Sequence, residues 1–416
     1  MPIKRINISN FKSFRKLEAD LRNFNMLIGA NASGKSSFVQ IFKFLKDVEN
    51  HGLDNAISMQ GGVEYLRNVN IGPSANLEVE VIKDVEHEEL LRLGKSTQEG
   101  GYIGIVPLEC TYRFAMKFRR KSGFEMVEDR LSMRCRFIRL VSDGGGHLQE
   151  KGQPGVGEVA ISNLSGKLDV TVRPPPDFDV DEESLFPVLR ADGFVRSLLL
   201  ENQFFIGPRP FIDVGIFDFD PKLPKRATPI TGKAELEEDG SNLAIVLKSI
   251  IERKDQRRKL HNLVHDLLPF VSELDVEKFA DKSLLFNLKE LYSGTQRLPA
   301  SLISDGTINI TALVVALYFG RKPVTIVEEP ERNIHPSLIA KVQNMMKDAA
   351  RSRQILVTTH NPEMVKHADL DDVMLVSRDK QGFSTISRPS EKEEVRTFLD
   401  NEMGIEDLYV QNLLGV

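Results

Sequence analysis

The sequence predicts an α/β protein with a mixed-sheet core, an antiparallel β-rich insertion and a helical lobe, and three observations lead to this prediction. A short apolar strand, FNMLI at 24–28, is followed by a glycine-bearing loop and then by an amphipathic run. Residues 75–175 alternate in polarity between turn-rich stretches, as antiparallel strands do. Residues 241–271 carry apolar side chains at helical spacing.

These patterns divide the chain of 416 residues into three predicted parts. Residues 1–74 and 300–416 form the core, residues 75–182 the β-rich insertion, and residues 183–299 the helical lobe that leads to a second group of motifs. The segment PPPDFDVDEE at 174–183 reads as an exposed connection. The length agrees with roughly two or three folding units.

Composition excludes several classes of protein. With 41% hydrophobic and 28% charged residues, the chain is neither collagen-like nor wholly disordered. A net charge of −5 gives no bulk indication of nucleic-acid binding, so a DNA contact would need a local basic patch. Two cysteines, Cys110 and Cys135, are too few for a disulfide framework. The longest uncharged run, 306–320, is too short to span a bilayer, and we expect a soluble, cytoplasmic protein without a membrane partner.

The first motif predicts a phosphate-binding loop. GANASGKS at 29–36 matches G-x-x-x-x-G-K-[ST] and lies between a predicted strand and a predicted helix. Gly29 and Gly34 allow the backbone to approach phosphate oxygens closely. Lys35 can reach the β- and γ-phosphates, and the Ser36 hydroxyl can ligate Mg²⁺. The predicted cofactors are therefore ATP and Mg²⁺, and the loop adds three further nucleotide-binding candidates: Asn31, Ser33 and Ser37.

The second group of motifs indicates the kind of nucleotide chemistry. VTIVEEPE at 324–331 is an apolar strand that ends in two carboxylates; Glu328 can hold the metal, and Glu329 can polarise the attacking water. QILVTTH places His360 at the end of another apolar strand, where it could contact the γ-phosphate. In ISDGT, Ser304 and Gly306 open a helix whose N-terminus could bind a second phosphate. Two anion sites suggest two nucleotides shared across a dimer.

GANASGKS, ISDGT, VTIVEEPE and TTHNPEM resemble the Walker A, signature, Walker B and switch-histidine motifs of ABC-type ATPases. More narrowly, NFKSF, DGSNLA, EEPERNIHP and GIEDLYVQNLLGV resemble stand-alone RecF-like, SMC-related ATPases of the AAA_21 group, which are relatives of the OLD-family ATPase domain. The resemblance is strong over 1–50 and 300–365 and weak over 75–175. It implies a P-loop NTPase fold of the ABC/SMC-head type.

The resemblance also implies roles for particular residues. Lys35, Glu329 and His360 would be the catalytic side chains, and Ser36 and Glu328 the metal ligands, although most ABC proteins have aspartate where Glu328 stands. It further implies that Ser304 and Gly306 contact the γ-phosphate of the nucleotide held by the other subunit. Asn333 and His335 would lie in the D-loop at the dimer interface.

Bland alternatives stay open for several of these residues. Glu328 and Glu329 could instead be held in structural ion pairs. Ser304 could be a plain helix N-cap, and His360 could be a capping or core histidine. A metal-sensing glutamine is expected, with Gln203 as the candidate and Gln60 behind it; Gln203 could equally be an ordinary surface residue.

What the ATPase acts on is less determined by the sequence. The resemblance suggests a homodimer that closes on ATP and couples to DNA or to a separately encoded effector, possibly a nuclease, in phage defence or DNA maintenance. Only 56 residues follow His360, too few for the TOPRIM nuclease domain of OLD proteins, so we expect an ATPase that is not itself a nuclease. The alternatives are the ATPase subunit of a transporter and a slow nucleotide-switched scaffold without DNA contact.

Overall fold

The computed structural model describes residues 3–85, 92–95, 101–119, 123–142, 147–164, 167–181, 198–201, 214–279, 282–401 and 403–415. The chain forms two compact units. Unit 1 comprises Met1–Leu21, Ser37–Asp213 and Arg378–Ile386. Unit 2 comprises Arg22–Ser36, Val214–Ser377 and Ser387–Val416. Most residues of the predicted nucleotide site fall in unit 2. Ser37 and Gln60 fall in unit 1, and Gln203 lies outside the described residues.

The described residues contain nineteen strands and ten α-helices. The strands are β1 Ile3–Phe11, β2 Phe14–Asp20, β3 Phe24–Ile28, β4 Leu77–Asp84, β5 Arg92–Lys95, β6 Tyr102–Phe118, β7 Phe124–Ser142, β8 Leu148–Glu150, β9 Gly155–Leu164, β10 Lys167–Arg173, β11 Val214–Phe217, β12 Thr228–Pro229, β13 Val271–Phe279, β14 Ser283–Glu290, β15 Leu298–Pro299, β16 Val324–Glu328, β17 Gln354–Thr359, β18 Val373–Arg378 and β19 Ser384–Ser387. The helices are α1 Lys35–His51, α2 Leu53–Met59, α3 Val63–Leu66, α4 Leu243–Ile251, α5 Lys254–Leu267, α6 Asp305–Tyr318, α7 Pro336–Ala349, α8 Pro362–Lys366, α9 Glu393–Asp400 and α10 Ile405–Val410.

Unit 1 is built on a large, mainly antiparallel sheet. Its strand order is β10-β9-β7-β6-β4-β1-β2-β19, with β5 on β6 and β8 on β7. Only the β19–β2 pair among these is parallel. In β4, LEVEVIKD, buried and half-buried residues alternate, because successive side chains point to opposite faces of the sheet. Strands β4 to β10, which lie within the predicted insertion, are all antiparallel to their neighbours, as the predicted fold class requires. Strands β1, β2 and β19 of the same sheet come from segments that were predicted to belong to the core.

Unit 2 is built on five parallel strands in the order β18-β3-β17-β16-β11. Parallel strands buried on both faces read as nearly continuous apolar runs, as FNMLI in β3 does, and all five residues of β3 are buried. The carboxyl ends of the strands meet at one edge of the sheet. That edge carries the loop after β3, the glutamates at the end of β16, and His360 after β17.

Helix α6 accounts for the long uncharged run in the sequence. All residues from Thr307 to Leu317 are buried, and the apolar ones belong to the core cluster of unit 2. A helix that is apolar on every side is expected in such a position. In the described part of the chain, we find no helix with both the length and the apolar character needed to cross a bilayer.

The region predicted to be helical differs in detail. Apart from a short 3-10 helix at Leu199–Glu201, helical structure in its described part begins at Leu243, after the parallel strand β11. The helical pattern of residues 241–271 is divided between two helices, because Arg253 between α4 and α5 is extended. Two segments of this region, SELDVEKF and SLLFNLKEL, instead form the strands β13 and β14. They form a small antiparallel sheet with β12 and β15.

Candidate functional site

The loop after β3 has the conformation that its glycines predict. A Cβ on Gly29 would lie 2.3 Å from the Val376 carbonyl oxygen, so no larger residue fits there. Gly34 has φ +122°, a backbone conformation that favours glycine. Helix α1 then begins at Lys35, which directs the free N–H groups of its first turn toward the loop.

Lys35 lies inside this loop. Its side chain is buried, and Nζ donates hydrogen bonds to the carbonyl oxygens of Gly29 at 2.7 Å and Ala30 at 3.1 Å. Burial lowers the pKa of Lys35, and the negative charges of Glu329, Glu331 and Glu328 oppose that change. The ammonium is therefore held by two weak neutral acceptors in a place where an anionic ligand would stabilise it better.

Ser36 and Glu328 are brought together at the sheet edge. Ser36 Oγ lies 3.4 Å from Glu328 Oε2. Burial raises the pKa of Glu328, and the nearby Asp218 charge adds to the rise. A hydroxyl and a carboxylate are oxygen ligands of the kind that Mg²⁺ prefers, so these two side chains fit the predicted metal role.

Glu329 has different partners from Glu328. Its Oε1 lies 2.8 Å from His360 Nδ1, and its Oε2 accepts a hydrogen bond from Arg332 Nη2 at 3.0 Å. Burial alone would raise the pKa of Glu329, but the hydrogen bond and charge of Arg332 and the charge of His360 bring it below its usual value. The backbone φ of Glu329 is +45°, which is unusual for glutamate, and its N–H donates to the Thr358 carbonyl at 2.9 Å.

The signature segment starts α6 at the surface. Ser304 is exposed and caps the helix: its Oγ accepts a hydrogen bond from the Thr307 N–H at 3.2 Å. Gly306 lies against the Asn333 carbonyl oxygen, which would be 2.5 Å from a Cβ. The signature helix therefore packs on the segment that follows Glu329 in its own chain. Within the described part of the chain, the hydrogen bonds of Ser304 are with Thr307 and Ile308 and not with the loop around Lys35.

The remaining predicted residues are placed as follows. Asn31 is exposed, Ser33 is buried in the loop, and Ser37 follows on α1 and is half-buried. Asn333 and His335 are exposed, and His335 caps α7 by accepting from the Ser337 N–H at 3.2 Å. Gln60 is a buried residue of unit 1, and Gln203 lies outside the described residues, so a metal-sensing role for either glutamine stays a prediction.

Sequence reasoning missed a buried carboxylate beside the site. Glu331 is 7% exposed; its Oε1 accepts a hydrogen bond from Thr359 Oγ1, and its Oε2 has no hydrogen-bond partner among the described residues. Burial raises the pKa of Glu331. Thr359 Oγ1 in turn accepts from the Asn361 N–H at 3.0 Å. Glu331 therefore holds the residue before His360, and that residue holds the one after it. The sequence does contain an indication of this residue, because it is the third carboxylate of VEEPE at 327–331.

Three more residues were missed. Arg332, three residues after Glu329, bridges it to Asp218, with Nη1 2.9 Å from Asp218 Oδ1. Asp218 and Tyr409 are distant in sequence from the motifs. Tyr409 on α10 lies with its hydroxyl 3.5 Å from the His360 carbonyl oxygen. Burial raises the pKa of Tyr409, and a hydrogen bond with the Gly29 backbone opposes the rise.

Two family profiles match separate parts of the chain. The AAA_21 profile, described as "AAA domain, putative AbiEii toxin, Type IV TA system", matches residues 189–366. The AAA_15 profile, described as "AAA ATPase domain", matches residues 1–95. The Old nuclease of Escherichia phage P2 is 24% identical over 409 residues, which cover 94% of this chain and 61% of the phage protein. The chain thus spans less than two thirds of that relative's length.

Two solved structures match this chain at low sequence identity, and the first of them shares its fold. An SMC head bound to the C-winged helix domain of ScpA matches with a TM-score of 0.51 and 15% identity, over 93% of this chain and 97% of that chain. An Smc head domain from Pyrococcus furiosus, with an extended coiled coil and bound to the C-terminal domain of ScpA, gives a TM-score of 0.49 and 14% identity over 96% and 98% of the two chains.

Fold and motif geometry define a P-loop ATPase. The two profile matches and the fold shared with an SMC head agree with the resemblance to SMC- and RecF-like ATPases of the ABC type that the motifs carry. Nucleotide binding and ATP hydrolysis are the activities of this class.

Proposed function

We propose that this protein hydrolyses ATP with Mg²⁺ at a site completed by a second copy of the chain. The observation that carries the proposal is the arrangement at the edge of the unit 2 sheet. Lys35, Ser36, Glu328, Glu329 and His360 come from three neighbouring parallel strands and from the start of α1, and direct contacts link Ser36 with Glu328 and Glu329 with His360.

Each residue then has a chemical task. The N–H groups at the start of α1 and the Lys35 ammonium bind the phosphates, and Lys35 exchanges its two carbonyl acceptors for phosphate oxygens. Ser36 and Glu328 hold Mg²⁺, which neutralises charge on the phosphates when bound. Glu329 orients the attacking water and accepts its proton. His360, now beside Glu329, turns to the γ-phosphate.

The signature segment supports the dimer part of the proposal. Ser304 is exposed at the start of a helix of 14 residues, where free N–H groups and the helix dipole favour an anion. Within its own chain, Ser304 contacts Thr307, and Gly306 packs on the Asn333 carbonyl. A twofold dimer would place the Ser304 of each copy over the nucleotide of the other, because such an interface uses the same surface of both subunits.

We expect a mixture of Lys35→Ala and Ser304→Arg proteins to hydrolyse ATP faster than either protein alone. In a mixed dimer, the Ser304→Arg subunit supplies an intact loop and the Lys35→Ala subunit supplies an intact signature, so one complete site forms. Arginine at exposed Ser304 adds bulk without disturbing a buried side chain. Steady-state phosphate release measures the effect.

The matched control mixes Lys35→Ala with Glu329→Gln. Both changes damage the half of the site that binds nucleotide in cis, so the mixed dimer still lacks a complete site and we expect no recovery. If the Lys35→Ala and Ser304→Arg mixture also stays inactive while the wild type hydrolyses ATP, the shared site is contradicted.

The proposal extends to DNA or an effector protein through the relatives. The phage relative is named a nuclease, and the chain covers 61% of its length. We infer that this chain couples its ATP cycle to DNA or to a separately encoded effector, and that any DNA cleavage belongs to that effector. Arginines of the β-rich insertion do not carry this inference, because Arg113 pairs with Glu78 and Glu128, and Arg139 stacks on Phe178.

Duplex DNA binding is expected to be stronger with ATP and Mg²⁺ than without, and to weaken as salt increases, because phosphate contacts release counterions. Retention on immobilised DNA over a salt series measures both effects, and electrophoresis of the recovered DNA reports cleavage. Equal retention with and without ATP would remove DNA from the proposal and leave the effector. Cleavage of the DNA by this protein alone would contradict the inference that a separate effector is the nuclease.

A further inference from the structure

A row of charged side chains in mutual contact extends beyond the proposed catalytic residues. Asp218 follows β11, whose Phe217 pairs with Val327 of β16, so Asp218 lies beside Glu328 at the sheet edge. Arg332 donates from Nη1 to Asp218 at 2.9 Å and from Nη2 to Glu329 at 3.0 Å. His360 completes the row at the other oxygen of Glu329.

The Arg332 backbone is fixed as well as its guanidinium. Its N–H donates to the Glu329 carbonyl at 3.0 Å, and its own carbonyl accepts from Asn309 Nδ2 of α6 at 2.8 Å. A guanidinium can address two carboxylates at once with separate N–H groups, which an ammonium does with less directional control. Arg332 therefore links Asp218, Glu329 and the signature helix.

Stability is a poor explanation for these ion pairs. The side chains of Asp218 and Arg332 are 56% and 41% exposed, and ion pairs at such exposure add little to folding stability. Glu329 also has the left-handed backbone described above, which must be held by its surroundings. Bonds that contribute little stability but fix the direction of one carboxylate are typical of a positioning role.

We propose that Arg332, clamped by Asp218, is the residue that positions Glu329 for catalysis. Both oxygens of Glu329 are occupied in this structure, Oε1 by His360 and Oε2 by Arg332. When His360 turns to the γ-phosphate, Oε1 is freed to accept a proton from the attacking water, while Arg332 keeps hold of Oε2. The inference rests on the proposed function, because it assigns Glu329 and His360 those tasks.

Arg332→Gln is expected to lower kcat for ATP about 10- to 100-fold, the usual cost of a slightly misplaced catalytic group, while KM changes less than about twofold. Arg332→Lys is expected to recover part of kcat, because a cation remains. Asp218→Asn is expected to lower kcat less, and the Asp218→Asn/Arg332→Gln double variant should be no slower than Arg332→Gln alone, since Asp218 acts through Arg332.

Arg351→Gln is the matched control, because Arg351 forms another arginine–aspartate pair, with Asp348 at 3.6 Å, and its side chain is 84% exposed. Thermal melting of each variant shows whether it is folded; if Arg332→Gln is not, Asp218→Asn and Arg332→Lys carry the test. An unchanged kcat, a rise in KM that accounts for the loss, or additive effects of the two changes would overturn the inference. An inactive wild type would instead contradict the proposed function.

Discussion

Glu329→Gln is expected to lower the ATP turnover number by about three orders of magnitude, within the range found when a positioned general base is removed. Glutamine keeps the size of the side chain and an oxygen that can accept the Arg332 hydrogen bond, but its amide cannot take a proton from water. Nucleotide binding should persist, because Lys35 and the loop are unchanged. The variant should therefore accumulate as an ATP-bound dimer, seen as an earlier peak in size-exclusion chromatography, while phosphate release gives kcat.

Glu363→Gln is the matched control for this variant. Glu363 also pairs with a histidine, His367 Nε2 at 3.3 Å, and lies on α8. Loss of a glutamate–histidine pair at that position should leave both turnover and elution unchanged. Hydrolysis at the wild-type rate by Glu329→Gln would show that Glu329 does not have the assigned role.

The phosphate-binding loop could be predicted from sequence because its determinants are local. Gly29 has no room for a Cβ, Gly34 has a positive φ, and the helix starts at Lys35; all three properties belong to eight consecutive residues. Helix α6 could also be predicted, since its buried part, Thr307–Leu317, contains no charged residue.

The separation of Glu328 from Glu329 does not come from strand geometry. Alternation along a strand would by itself point two neighbouring carboxylates to opposite sides. Strand β16 ends at Glu328, and Glu329 has a left-handed backbone stabilised by its N–H bond to Thr358. The turn, and not the strand, separates the metal-directed carboxylate from the one that contacts His360. Because this turn contains no glycine, the sequence gives no local indication of it.

The rest of the site depends on which strands are neighbours. Asp218 and Arg332 are 114 residues apart, and they meet because β11 adds to the edge of the sheet beside β16. No local pattern specifies that neighbour. Glu331 was visible as a carboxylate, but its burial follows from packing against Thr359 of β17, which sequence spacing does not show.

Lys35→Ala is expected to weaken ATP binding about 100-fold or more, because charge-assisted contacts to phosphate are among the strongest hydrogen bonds. Folding should not suffer. Burial lowers the pKa of Lys35, which means that the folded protein without nucleotide disfavours the charged ammonium. Removing it relieves that cost, so the Tm of the variant without ligand should equal or exceed that of the wild type.

Thermal melting with and without Mg–ATP separates these effects. A ligand stabilises a protein in proportion to the logarithm of its concentration relative to Kd, so ATP should raise the Tm of the wild type and leave that of Lys35→Ala unchanged. Lys248→Ala is the control, because Lys248 is a half-exposed helix lysine paired with Glu252. If ATP stabilises Lys35→Ala as much as the wild type, the ammonium does not bind phosphate. A fall in Tm without ligand would mean instead that its bonds to the Gly29 and Ala30 carbonyls outweigh the cost of burying its charge.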